Sequence, residues 1–284
     1  MEACSSFASV ERLQEYTQLP QEPPLSLPCD PPPPWPEHGS IEIKDLTLRH
    51  RADLAPVLRN ISTSVPAGTK LGLVGRTGAG KSSLLLALFR LAEAESGKIS
   101  ICEQDIEKLG LAPLRLKALS LLPQTPFIFQ GSLRENLDPF GQLSDAQLWE
   151  ALEAVQLRDR VAASKDGLST QIEESAAFFS VGQKQLFCLA RVLLRKTPVL
   201  VLDEATANVD PHTDALIQDA LRGPLFAGIT VLAIAHRLNT LMDYDLILVL
   251  DQGQIKEQGN PKELAQKQDG IFANMLKSSS VNKV

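Results

Sequence analysis

Apolar and polar positions alternate along Ile41-Glu42-Ile43-Lys44-Asp45-Leu46, the period-two signature of a strand with one wet face. Further strands are predicted at 61–65 and 70–74. Three continuous apolar runs, 198–202, 231–235 and 246–250, have the length and β-branched content of strands covered on both faces. Residues 82–91 carry apolar spacing of helical period, and 113–196 reads as mostly helical, with clear stretches at 145–155 and 183–194. Strands alternating with helices imply an α/β layered core, here with an antiparallel β part at its start and a helical subdomain inserted at 113–196. No internal repeat is visible.

The ends read differently. Residues 19–39 are proline-dense, with four consecutive prolines at 31–34, and are expected to form a stiff, extended linker. A short helix is predicted around Ser9-Val10-Glu11-Arg12-Leu13, within a segment, 1–18, read as the remnant of a preceding unit. The folded domain is placed at 40–276 and a flexible tail at 277–284.

Composition narrows the partners. The chain has 284 residues, 44% of them hydrophobic, and a formal charge of -6. That balance argues against a nucleic-acid surface, which needs clustered Lys and Arg. No apolar run reaches the ~20 residues of a bilayer span, and the start Met1-Glu2-Ala3-Cys4 lacks a basic, then apolar, leader. Cytosolic synthesis is expected. The four cysteines, Cys4, Cys29, Cys102 and Cys188, show no metal-ligand or disulfide spacing and are read as reduced thiols.

Two constellations carry chemistry. Gly75-Arg76-Thr77-Gly78-Ala79-Gly80-Lys81-Ser82 fits G-x-x-x-x-G-K-[ST] between a predicted strand and a predicted helix. Glycines let backbone amides close around phosphate oxygens, and the following helix adds the positive end of its dipole. Lys81 is placed to neutralise β- and γ-phosphates, Ser82 to ligate Mg²⁺ and Ser83 to bond the α-phosphate. Downstream, Val199-Leu200-Val201-Leu202 delivers Asp203 and Glu204 to the carboxyl edge of a sheet, where nucleotide sites form. Asp203 is expected in the Mg²⁺ shell and Glu204 beside the attacking water.

From Ile41 to about Leu276 these residues resemble the ATP-binding domain of ABC transporters, a P-loop NTPase (RecA-like) core. Gln124 in Leu122-Pro123-Gln124 resembles the Q-loop glutamine, which contacts Mg²⁺ or water. Phe179-Ser180-Val181-Gly182-Gln183 is similar to the family signature, Ala207-Asn208-Val209-Asp210 to the D-loop, and His236 to the switch histidine. The sequence at 75–83, Arg134-Glu135-Asn136-Leu137-Asp138-Pro139-Phe140 and the valine at Val181 are similar to the second such domain of subfamily C exporters. The resemblance implies an ATPase at the cytoplasmic face of a membrane, the plasma membrane foremost, joined to the transmembrane domains of an exporter. A free-standing chain would be cytosolic. It also implies a head-to-tail sandwich with a second nucleotide-binding domain, in which this chain's signature acts on the partner's ATP.

Some positions depart from the family pattern. His50 stands where a base-stacking aromatic is usual, and a smaller π-face implies weaker adenine binding. Ala176 and Phe178 stand where relatives have Gly and Asn, and Lys184 where they have Arg. These departures leave open a nucleotide-binding or regulatory module with little hydrolysis. An ABC head from a chromosome-maintenance protein is disfavoured by the short helical insert and the acidic balance.

Overall fold

A computed structural model of the chain describes residues 2–281 except Pro20, Ala52, 174–177, Asn208 and 235–237. In chain order the strands are β1 (Ile41–Leu48), β2 (Leu58–Val65), β3 (Lys70–Gly75), β4 (Ser96–Ile101), β5 (Gln104–Asp105), β6 (Leu119–Leu122), β7 (Gly131–Ser132), β8 (Gln171–Ile172), β9 (Val199–Asp203), β10 (Thr230–Ile234), β11 (Leu246–Asp251) and β12 (Gln254–Gly259). The α-helices are α1 (Glu2–Thr17), α2 (Lys81–Leu88), α3 (Leu133–Leu137), α4 (Asp145–Ala154), α5 (Arg158–Ala162), α6 (Val181–Arg195), α7 (Pro211–Arg222), α8 (Pro261–Gln266) and α9 (Ile271–Val281).

The central sheet has the order β12-β11-β3-β10-β9-β6, parallel except for β12 against β11. Strands β9, β10 and β11 are apolar almost throughout because both of their faces are covered, while β12 at the edge is polar, and strand periodicity divides the apolar side chains between two cores. Val199, Val201, Leu232, Ile234, Leu248 and Leu250 join a core shared with α2 and the antiparallel sheet β2-β1-β4-β5. Leu200, Leu202, Val231, Ala233, Ile247 and Val249 face the other way, into a core built with α4, α6 and α7. Gly72 sits between, and a Cβ there would lie 2.7 Å from Ile247 Cδ1. The fold is therefore the layered α/β core that the sequence pattern predicts.

Four expectations change. The helical region expected over 113–196 opens with one short helical stretch, Pro113–Ala118, but then gives way to β6, which the central sheet claims by pairing with β9, so the insert's α-helices run from Leu133 to Arg195. The helix expected to reach 91 ends at Leu88, because Arg90 turns to a left-handed φ of 51° and buries its guanidinium on the carbonyls of Ile106 and Leu109. The tail expected from 277 is helical to Val281. The proline-rich segment is strapped to the domain rather than standing off it. The Leu111 and Ala112 amides donate to the carbonyls of Pro24 and Leu25, and the Gly110 amide donates to Asp30 at 2.6 Å. Gly110 permits that approach, since a Cβ would come within 2.6 Å of the Leu25 carbonyl.

Candidate functional site

A parallel sheet sends the carboxyl ends of its strands to one edge, and the predicted site residues lie on the loops that leave that edge. The glycine loop follows β3, Asp203 ends β9 with Glu204 next, and Gln124 lies two residues beyond β6. The order β3-β10-β9-β6 fans these loops side by side. β10 ends at Ile234, and His236, two residues further on, lies outside the described residues.

The loop 75–80 takes conformations that side chains resist. Gly78 and Gly80 have φ of 82° and 106°, and a Cβ on Gly80 would lie 2.7 Å from Leu58 Cδ2. Gly75 is held still closer, its Cβ position 2.4 Å from the Leu250 carbonyl oxygen. Each glycine answers a steric demand. Arg76, Thr77 and Gly78 are exposed, while Ala79 is buried, its amide donating to the Arg76 carbonyl. Gly80 leads into α2, whose first turn carries Lys81, exposed Ser82 and buried Ser83.

Lys81 Nζ folds over the loop, donating to the carbonyls of Gly75 at 2.8 Å and Arg76 at 3.1 Å. Burial pushes its pKa down, and the nearby carboxylates of Glu204 and Asp203 oppose that shift. Asp203 is displaced the other way: burial raises its pKa, Glu204 raises it further, and Lys81 pulls it back. Lys81 and Asp203 are thus both displaced by burial, and each feels the other's charge. Glu204 is held in a left-handed backbone, φ 49°, and its Oε2 accepts from Gln124 Nε2 at 2.9 Å. A residue of the core and one on the way to the helical insert therefore meet at the group predicted to address water.

Around the loop lies a cavity of about 720 Å³ lined by Val57, 75–78, 80–83, Glu204, Leu238, Ile271, Asn274, Met275 and Ser278. Its floor is polar and its walls are partly apolar, as a nucleotide requires. The expected donors, the Ser82 hydroxyl, the Asp203 carboxylate and the Gln124 amide oxygen, are all oxygen, which suits Mg²⁺. The residues present fit a magnesium-bound triphosphate. The wall supplied by α9 was not legible in the sequence, because nothing local marks Asn274 or Met275 as neighbours of a loop 190 residues away.

The signature residues lie apart from that cavity. Ser180 caps α6, its hydroxyl accepting from the Gln183 amide while the Gln183 side chain accepts from the Ser180 amide. Phe179 is buried against Phe187, Val181 is exposed, and Gly182 is pressed on Thr213 of α7. Asp210 caps α7 through the amides of His212 and Thr213 and the Thr213 hydroxyl, and these bonds hold its carboxyl below the usual range. Phe178 is stacked beneath the Arg160 guanidinium, and Ala176 lies outside the described residues. His50 does not line the cavity; its Nε2 lies 3.0 Å from Ser83 Oγ.

Residues 58–207 match the ABC transporter family. The chain is 50% identical over 265 residues to ABC transporter C family member 12 of Dictyostelium discoideum, covering 93% of this chain and 20% of that protein. It is 48% identical over 280 residues to human ATP-binding cassette sub-family C member 2, covering 99% of this chain and 18% of that protein. Among solved structures it resembles a bacterial Atm1-family ABC exporter with ATP bound, with a TM-score of 0.85 and 30% identity, over 97% of this chain and 47% of that one. This chain belongs to the ABC transporter family, as an ATP-binding domain whose relatives include subfamily C members. It spans about a fifth of the length of these curated relatives. Among the described residues no helix is long and apolar enough to cross a membrane.

Proposed function

We propose that the chain is the second nucleotide-binding domain of a subfamily C exporter, binding and hydrolysing ATP to drive organic anions or drugs across a membrane. The observation that carries this reading is the convergence of Lys81, Asp203, Glu204 and Gln124 at one sheet edge, with Gln124 hydrogen-bonded to Glu204. Two stretches, Pro33-Pro34-Trp35-Pro36 and 205–211, resemble multidrug resistance-associated protein four most, which favours organic anions as cargo.

In this reading the amides of 75–80 and Lys81 bind the phosphates, and Ser82, Asp203 and Gln124 would hold Mg²⁺, which would supply charge neutralisation to the triphosphate. Glu204 orients the attacking water and accepts its proton, with His236 completing the site at the γ-phosphate. Gln124 fixes the Glu204 carboxylate through its amide. The α6 amino terminus, with Phe179, Ser180, Val181, Gly182 and Gln183, addresses ATP held by a partner domain, and Asp210 lies at the same junction. Transmembrane domains and that partner complete the machine at the cytoplasmic face, foremost of the plasma membrane.

The test is Mg²⁺-dependent ATP turnover beside a Glu204→Gln variant. Loss of the base is expected to lower the rate on the order of 10²–10⁴-fold. Equal rates in the two proteins refute the assignment. A second reading, a nucleotide-binding module with little hydrolysis, is favoured by the Phe178–Arg160 stack before the signature; ATP binding without turnover beside a matching partner domain would establish it.

A further inference from the structure

His50 sits where its family resemblance predicts contact with the base, yet it stands outside the cavity lining and its ring nitrogen is engaged with a residue of that lining. Nε2 lies 3.0 Å from Ser83 Oγ, on the first turn of α2. Ser83 is buried, lines the phosphate cavity, and is followed at once by the apolar run 84–88. Its neighbours Arg49 and Arg51 are engaged elsewhere, with Glu95 and Asp53 respectively.

A serine hydroxyl has one proton to give. Where a ring nitrogen accepts that proton, the oxygen has nothing left to offer a phosphate. Where Nε2–H donates to Oγ, the hydroxyl proton is free to turn into the cavity, and the oxygen becomes a stronger donor through its own hydrogen bond. We infer that His50 is a positioning residue of the nucleotide site: it donates to Ser83 Oγ and thereby directs the Ser83 hydroxyl at a non-bridging oxygen of the nucleotide's α-phosphate. His50 selects for the α-phosphate through Ser83, and base stacking is not its task. The inference rests on the nucleotide site proposed above and specifies one contact within it.

Three substitutions separate the two roles. His50→Phe keeps a ring for stacking and removes the donor. His50→Gln removes the ring and keeps an amide donor. Ser83→Ala removes the hydroxyl that His50 is said to direct. Each full chain is titrated with Mg²⁺-ATP and with ATP carrying sulfur on the α-phosphate, and the affinity ratio of the two is read within each protein, so partial misfolding does not distort it. The native chain is expected to favour ATP over the thio analogue by several-fold, about 3- to 10-fold, because sulfur weakens rather than removes a hydrogen bond to a charged oxygen. That preference is expected to collapse in Ser83→Ala, to collapse equally in His50→Phe, to fall no further in the double variant, and to return in His50→Gln. A gain of ATP affinity in His50→Phe that persists in the Ser83→Ala background overturns the inference in favour of stacking. An unchanged thio preference in His50→Phe overturns it too. Should a Lys81→Ala control bind as tightly as the native chain, the nucleotide site itself fails, which is a separate result.

Discussion

Arg191 offers the sharpest test of how the helical insert is fastened to the sheet that carries the site. From α6 its guanidinium donates to the Asn136 carbonyl at 2.6 Å, to Asn136 Oδ1 at 2.7 Å and to the Phe127 carbonyl, and it lies 5.2 Å from the Phe187 ring. Asn136 is itself buried and closes back on Phe129 through both carbonyl and amide. One cation therefore joins α6, α3 and the segment that runs on from Gln124. Arg191→Met keeps the apolar stem and removes three charge-assisted hydrogen bonds. At ~1.5–3 kcal/mol each these total about 6 kcal/mol. Burial that already depresses the arginine's pKa marks a desolvation cost, which the variant escapes. The remainder is a loss of about 3 kcal/mol, or roughly 6–9 °C in Tm for a domain of this size. Arg191→Lys retains one of the three bonds and still buries a charge, so it is expected to lose about 4 kcal/mol, at least as much as Arg191→Met. Urea denaturation followed by tryptophan fluorescence measures both, with an unchanged slope showing that one cooperative unit is still unfolding. Variants that both fall within ~0.5 kcal/mol of the native chain, as ordinary surface substitutions do, would refute the idea of a hub.

Gly182→Ala places a Cβ 2.7 Å from Thr213 Oγ1, which is fixed by its bond to Asp210, so a loss of about 1–3 kcal/mol is expected, smaller when measured in a Thr213→Ala background. Additive losses in that double-mutant cycle would contradict the contact. Burial pushes the Tyr244 phenol up to about 12, with Arg222 opposing and Asp214 adding to the shift. A raised folded-state pKa means that this contribution to stability is intact below the unfolded phenol's pKa near 10 and is lost as pH rises from there toward about 12. Urea midpoints measured across that range are expected to fall more steeply for the native chain than for Tyr244→Phe, and parallel curves would contradict the burial.

The sequence displays what is local. Runs such as Val199-Leu200-Val201-Leu202 read as strands with both faces covered, and the glycine spacing at 75–80 marks a loop whose backbone must approach something closely. Long-range meetings are silent. Gln124 and Glu204, 80 residues apart, share a hydrogen bond that neither one's neighbours announce. Nothing local marks Arg191 either, yet it binds the carbonyls of Asn136 and Phe127 on other segments. Proline density at 19–39 signals extended backbone, but only the close approach at Gly110 reveals the surface on which that backbone lies. Helix α2 ends early because Arg90 finds carbonyl acceptors from another segment, and propensity carries no trace of that.

Lys81, the carboxylates of Asp203 and Glu204, and the glycine loop are proposed to form one triphosphate site. Isothermal titration of the native chain and Lys81→Ala with ATP in the presence of Mg²⁺ tests it most directly. The account expects saturable binding by the native chain and a drop on the order of 10-fold or more when the desolvated cation is removed, since a hydrogen-bonded charge facing phosphate contributes about 1.5–3 kcal/mol. Identical affinity in the two proteins would contradict it.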